Sequence, residues 1–234
     1  GNPGVIVTNN DPADFTELGP LFDVILTDVP CSGEGMFRKD EVAVQEWSIE
    51  NVDNCWQRQR RILRDIWPCL KTGGLLVYST CTYNREENED NVAWIAQELG
   101  AEILPLETQP DWHITGNLTG TEFPVYRFLP HKTQGEGFFL AALRKPEEDR
   151  EADTDLFSPK KKKSKGDTAA SPVSKENLAI AKSWLASSDE YNLLVNGTAI
   201  TAFPVYYQND LALLRQSLRI VQAGTEVAEV KGKD

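Results

Sequence analysis

Apolar residues along this chain fall into two rhythms. Short unbroken runs, Val5-Ile6-Val7-Thr8, Val24-Ile25-Leu26-Thr27 and Leu75-Leu76-Val77-Tyr78-Ser79, are rich in β-branched residues and lack polar alternation. That is the pattern of strands buried on both faces of a parallel sheet. Between the second and third runs, Ile49, Val52, Cys55, Trp56, Ile62, Leu63 and Ile66 recur at helical spacing, with Ser48 as a candidate N-cap. Gln57, Arg58, Arg60, Arg61 and Arg64 fall on or near the other face and read as its solvated surface. Lys71-Thr72-Gly73-Gly74 reads as the helix stop and turn before the third run. Further on, Asn84 and Glu87 have the spacing of a capping box. Glu86, Glu87, Glu89 and Asp90 suit the positive end of a helix whose stripe is Val92, Ile95, Ala96 and Leu99. Residues 101–106, 122–128 and 137–143 read as further strands, and Tyr126, Phe128, Phe138 and Phe139 as core.

From Lys145 to Ser174 the pattern dissolves into acids, then Lys160-Lys161-Lys162-Lys163, then Ser, Ala and Pro, the composition of a solvated tether. Beyond it Leu178, Ala181, Trp184 and Leu185 mark a helix. Asn196-Gly197 between two apolar runs is a strong hairpin signal. A helix around Leu211, Leu214 and Leu218 follows, then Arg219-Ile220-Val221 and Val227-Ala228-Glu229-Val230, which read as a hairpin left unfinished. The expected architecture is α/β over residues 1–146, a charged linker over 147–173, and a small α+β accessory domain over 174–234. An interior-looking strand so near the first residue and the unfinished hairpin both suggest a fragment.

The 234 residues are 40% hydrophobic and 26% charged, in the range of globular proteins. No apolar run approaches the roughly 18 residues of a membrane span. The net charge of −12 weighs mildly against a phosphate-rich partner, although a basic groove can sit on an acidic body. The four cysteines form no Cys-x-x-Cys pair, their spacings of 24, 14 and 12 fit no zinc pattern, and only His113 and His131 could add to them. No metal site is therefore expected. Free thiols in such a chain point to a reducing cytoplasm.

Two loops carry candidate chemistry. Asp28-Val29-Pro30-Cys31-Ser32-Gly33-Glu34-Gly35 leaves the carboxyl end of the second run, where open α/β sheets hold ligands. As a mere turn it would need only Pro30 and the glycines, with Cys31 a small buried hydrophobe. A second strand-end thiol, Cys81, weakens that reading, because strands that are sheet neighbours open both thiols into one crevice. Cys81 also precedes a helix start, an electropositive place that lowers a thiol pKa. Cys55 and Cys69 read as core thiols. Asp11 either caps the turn after Asn9-Asn10 or touches a ligand. Cytosine C5 is a poor nucleophile until a thiolate adds to C6; an acid then stabilises the charge that develops at N3, and a further group is needed for release. Cys81, Asp28 and Cys31 suit these roles. A cysteine hydrolase would need a histidine beside its nucleophile, and neither histidine has that context.

Thr27-Asp28-Val29-Pro30-Cys31-Ser32-Gly33-Glu34-Gly35, together with Gln57-Arg58-Gln59, Leu70-Lys71-Thr72-Gly73-Gly74, Tyr78-Ser79-Thr80-Cys81-Thr82 and Glu87-Asn88-Glu89, resembles the NOL1/NOP2/Sun family of RNA cytosine-C5 methyltransferases. The likeness is greatest to its bacterial RsmF-like branch, which methylates ribosomal RNA. It covers residues 1–145, with a weaker likeness from about 170 onward to the region preceding that branch's PUA-like domain. The resemblance implies a Rossmann-like class I methyltransferase sheet, S-adenosyl-L-methionine as donor, and RNA as partner, ribosomal or alternatively transfer RNA. It implies Cys81 as nucleophile, Cys31 for release, Asp28 where base and cofactor meet, and Asp11 at the cofactor's adenine edge. Arg38 and Lys39 fall where phosphate contacts are expected. The family's glycine-rich cofactor loop and ribose-binding acid have no counterpart here, so weak cofactor binding is expected. The competing expectation is a non-catalytic RNA-binding or assembly module that keeps a methyltransferase half-fold.

Overall fold

The computed structural model of the chain describes residues 2–147 and 173–231. In chain order its elements are β1 (Ile6–Thr8), β2 (Phe22–Asp28), α1 (Glu41–Glu46), α2 (Ile49–Ile66), β3 (Leu70–Thr80), α3 (Glu89–Glu98), β4 (Glu102–Leu104), β5 (Tyr126–Phe128) and β6 (Phe138–Arg144). There follow α4 (Lys175–Ser183), β7 (Tyr191–Asn196), β8 (Ala199–Pro204), α5 (Gln208–Ser217), β9 (Ile220–Ala223) and β10 (Thr225–Glu229). Two compact units result. One begins at Gly19 and takes the rest of the first described stretch; the other joins the residues up to Leu18 with those from Val173 onward.

The first of these is built on a five-stranded sheet of order β2-β3-β6-β4, with β5 also pairing β6. β2 and β3 run parallel, Thr27 opposite Tyr78 and Asp28 opposite Ser79, so both strands deliver their carboxyl ends to the same edge. β6 returns antiparallel to β3. Leu76 and Tyr78 of β3 and Phe139, Ala141 and Leu143 of β6 point into the core, the period-two pattern of a sheet face. Each large apolar side chain so buried contributes about 1.5–3 kcal/mol of transfer free energy. α2 forms where its periodicity predicts, and the Ser48 hydroxyl accepts the Asn51 N–H at 3.0 Å.

Four expectations are corrected here. β2 is not covered on both faces: Ile25 and Thr27 are buried, but Val24 and Leu26 are 56% and 70% exposed. It is the edge strand, and among the described residues no element packs on that face. The turn at Lys71–Gly74 is absorbed into β3 as a bulge, since Phe22 opposes Leu70 while Val24 opposes Leu75; Gly73 there has φ 74 and its N–H reaches the Lys145 carbonyl. The Asn84–Glu87 pair forms reciprocally at 2.8 and 2.7 Å, yet α3 starts only at Glu89 because Asn88 is not helical. Lastly, Arg60 is not simply solvated, since its guanidinium lies 4.4 Å from the Trp56 ring centroid.

In the other unit the predicted hairpin is present. Asn196 opposes Ala199 in β7 and β8, with Gly197 at φ 60, a conformation that the tight turn requires and glycine permits. α5 buries Leu211 and Leu214. The last two apolar runs do not pair with each other. Gly224, at φ 80, separates them, β10 joins β8, and β9 pairs antiparallel with β1. Residues expected at the start of a 1–146 domain therefore group with the C-terminal strands. Apart from Glu147 and Val173, the expected linker 147–173, with its lysine run, lies outside the described residues. Among the described residues no helix is long and apolar enough to cross a membrane.

Candidate active site

Because β2 and β3 are parallel neighbours, the loops leaving them lie side by side, and the Sγ atoms of Cys31 and Cys81 are 3.0 Å apart. Both thiols are partly accessible. Two glycines make the approach possible. Gly33 takes φ 75, and Gly35 donates its N–H to the Cys81 carbonyl oxygen at 2.7 Å. A Cβ at Gly35 would overlap that oxygen.

A buried polar network fixes both loops. The Glu87 carboxylate, wholly buried, accepts from Gln59 Nε2 at 2.6 Å, the Ser32 N–H at 3.1 Å and Asn84 Nδ2 at 2.7 Å. Gln59 Nε2 also donates to the Pro30 carbonyl at 3.0 Å, so the Cys31 loop is held before the thiol by α2 and after it by Glu87. Glu34 accepts the N–H groups of Tyr83 at 2.6 Å and Asn84 at 2.8 Å. The hydroxyls of Ser32 and Thr82 meet at 3.0 Å. Beneath them, Tyr78 Oη donates to the Glu87 carbonyl at 2.6 Å and accepts from Asn91 Nδ2 at 3.2 Å. Behind the Cys81 loop, Arg127 Nε donates to Glu89 at 2.8 Å and Arg127 Nη1 to the Tyr83 carbonyl at 2.9 Å. That ion pair is sealed from solvent.

The two sulfurs are electrostatically unequal. The Cys31 thiol donates toward Cys81 and brings the Cys81 pKa down to about 7 from 9.0, against burial and the opposing charges of Asp28 and Glu87. Cys31 is held well above the ordinary thiol range, first by the same hydrogen bond and then by burial. Burial raises Cys55, and raises Cys69 to about 11, so neither is a nucleophile near neutral pH. The contact thus lowers the pKa of one thiol of the pair, Cys81, and raises that of the other, Cys31.

Asp28 ends β2 with an exposed side chain on the thiol side of the sheet. Asp11 belongs to the other unit, where its carboxylate accepts the Ala13 N–H at 3.1 Å. Lys39 pairs with Glu136 at 3.4 Å, and Arg38 lines a shallow cleft with Pro130 and His131. Glu34, Gln59, Glu87, Glu89 and Arg127 were not singled out as functional from their positions. Gln59 carried a usable signal, a polar residue four positions before Leu63 and seven after Val52 on the buried stripe.

A parallel strand pair that opens two loops at its carboxyl end, with an antiparallel strand completing the sheet, defines a Rossmann-like methyltransferase. The family model described as 16S rRNA methyltransferase RsmB/F matches residues 2–144, and the chain belongs to that family. Ribosomal RNA small subunit methyltransferase F of Escherichia coli O157:H7 is 40% identical over 62% of this chain and 30% of its own length. The protein of the same name from Shigella boydii serotype 4 is 32% identical over all of this chain and 48% of its own. The chain thus spans less than half the length of these curated relatives. Among solved structures, NSun6 from Pyrococcus horikoshii with SFG is 31% identical, with a TM-score of 0.50 over 59% of this chain and 34% of that one.

Proposed function

We propose that this chain carries the reaction centre of an S-adenosyl-L-methionine-dependent methyltransferase that modifies C5 of a cytosine in RNA, ribosomal RNA by its relatives' names, in the cytoplasm. The observation that carries the reading is the 3.0 Å contact between two strand-end sulfurs, a contact that lowers the Cys81 pKa below the ordinary thiol value. The Cys81 thiolate adds to C6 of the ring, which makes C5 enamine-like. Asp28, beside it, serves N3 and the 4-amino group as charge develops there. Once the Cys81 sulfur is bonded to carbon, the thiolate that held the proton on Cys31 is gone. Cys31 then gives up its proton to water; once C5 is methylated its thiolate removes the C5 proton, and the Cys81–C6 bond breaks with its electron pair returning to the Cys81 sulfur.

Bound S-adenosyl-L-methionine supplies the electrophilic methyl group; SFG, carried by one structural neighbour, is an analogue of it. The exposed carboxylate of Asp28 suits a sulfonium cation.

The test uses the intact protein with its RNA. Cys81→Ala abolishes methylation, and Cys31→Ser lets a protein–RNA adduct accumulate on denaturing gels. Undiminished methylation by Cys81→Ala would refute the mechanism. RNA binding with no adduct and no methyl transfer in any variant would favour a non-catalytic RNA-binding module.

A further inference from the structure

Glu34 is 9% exposed, and no cation pairs with it among the described residues. Its Oε2 accepts two consecutive main-chain N–H groups, Tyr83 at 2.6 Å and Asn84 at 2.8 Å. Its Oε1 accepts from Trp47 Nε1 at 3.1 Å and Asn84 Nδ2 at 3.3 Å. Burying a carboxylate without a counter-ion is costly unless donors satisfy it, and here four do. Three of them belong to the residues two and three positions after Cys81, while Glu34 itself is three positions after Cys31. The next residue, Gly35, adds the main-chain bond to the Cys81 carbonyl.

We infer that Glu34 is a positioning residue for the thiol pair: its carboxylate holds the Cys31 and Cys81 loops in the register that brings the two sulfurs together. The inference rests on the reading of those thiols as the reaction centre and goes beyond it in assigning the residue that sets their contact. The chemistry requires the charge. A glutamine at position 34 turns an N–H₂ toward either the two backbone N–H groups or the Trp47 indole, which leaves at least one buried donor unmet. An aspartate is one carbon short of spanning both loops. The charged or titratable groups facing Cys81 are Cys31, Asp28 and Glu87, together with the Tyr83 phenol. Cys31 is the largest contribution that favours the thiolate, ahead of a main-chain hydrogen bond, so loosening the register leaves mainly the burial and two carboxylates that oppose it.

The experiment is peptide-resolved alkylation of Cys81 by iodoacetamide as a function of pH, on the full chain with no RNA or cofactor. The native profile turns over near pH 7. Glu34→Gln is expected to raise that midpoint by about one unit, which is about tenfold less thiolate well below it. Cooperative thermal unfolding is retained, and Glu34→Asp recovers part of the shift. An unchanged midpoint in folded Glu34→Gln overturns the proposal. Should Glu34→Gln fail to fold, Trp47→Phe, which removes one donor and no charge, must shift the midpoint the same way by less; no shift there overturns it equally. Alkylation is read without turnover, so a methylating Cys81→Ala protein would remove the catalytic reading and leave the measured role of Glu34 standing.

Discussion

A single hydrogen atom decides how closely the two thiol loops approach. Gly35 faces the Cys81 carbonyl without a side chain, and its N–H bonds that oxygen at 2.7 Å. Gly35→Ala forces the loops apart at an expected cost of about 1–3 kcal/mol, visible as a lower thermal midpoint, and slows Cys81 alkylation near neutral pH. A variant as stable and as reactive as the parent would show that the loops accommodate a methyl group. At this scale the sequence displayed its reactive atoms better than their supports. Cys31 and Cys81 stand out because each lies within four residues of the end of an apolar run. Glu34, Glu87 and Glu89 do not, because acids near a turn or a helix start ordinarily face water. What buries them here is a set of donors from distant positions, which no local pattern announces. Asp11 is ambiguous between a cap and a ligand contact, and the bond it makes to the Ala13 N–H is compatible with both.

Among the elements, α2 links local helix rules to the site. Its N-cap is Ser48, its stripe buries Val52 and Leu63, and Gln59 on that stripe reaches Glu87 and the Pro30 carbonyl. Ser48→Ala is expected to lower the unfolding free energy by about 0.5–2 kcal/mol, measured by urea titration, with the denaturant slope unchanged. A loss below that range would mean that tertiary packing alone fixes the start of α2. The 3.6-residue period made this helix readable. β2 was misread for a related reason. A continuous apolar run shows that a strand can be covered on both faces, but Val24 and Leu26 on the outer face are open. Covering depends on neighbours that the run does not encode. The bulge at Gly73 belongs with these, since a turn signal and a bulge both draw on a residue with positive φ.

At the scale of the whole molecule, Asp28 and Asp11 fall in different compact units. A sulfonium nucleoside needs contacts along its whole length, and among the described residues Asp28 is the group that the thiol site offers it. The chain by itself is therefore expected to bind S-adenosyl-L-methionine more weakly than micromolar and to show no turnover; isothermal titration giving a micromolar dissociation constant would contradict this. The sequence showed that a tether interrupts the folded regions. It did not show that the first strand groups with the C-terminal ones, because strand partnership across such a distance leaves no mark in the pattern of either partner.

The pairing of Ile6–Thr8 with Ile220–Ala223 also bears on how the protein is made. This strand waits during synthesis for a partner more than two hundred residues downstream, and contacts of such long range form slowly because they close a very large loop. Until that partner arrives Ile6, which packs on Phe203, Leu211 and Ala223 in the folded unit, stays uncovered, a window in which a chaperone or a neighbouring nascent chain competes for it.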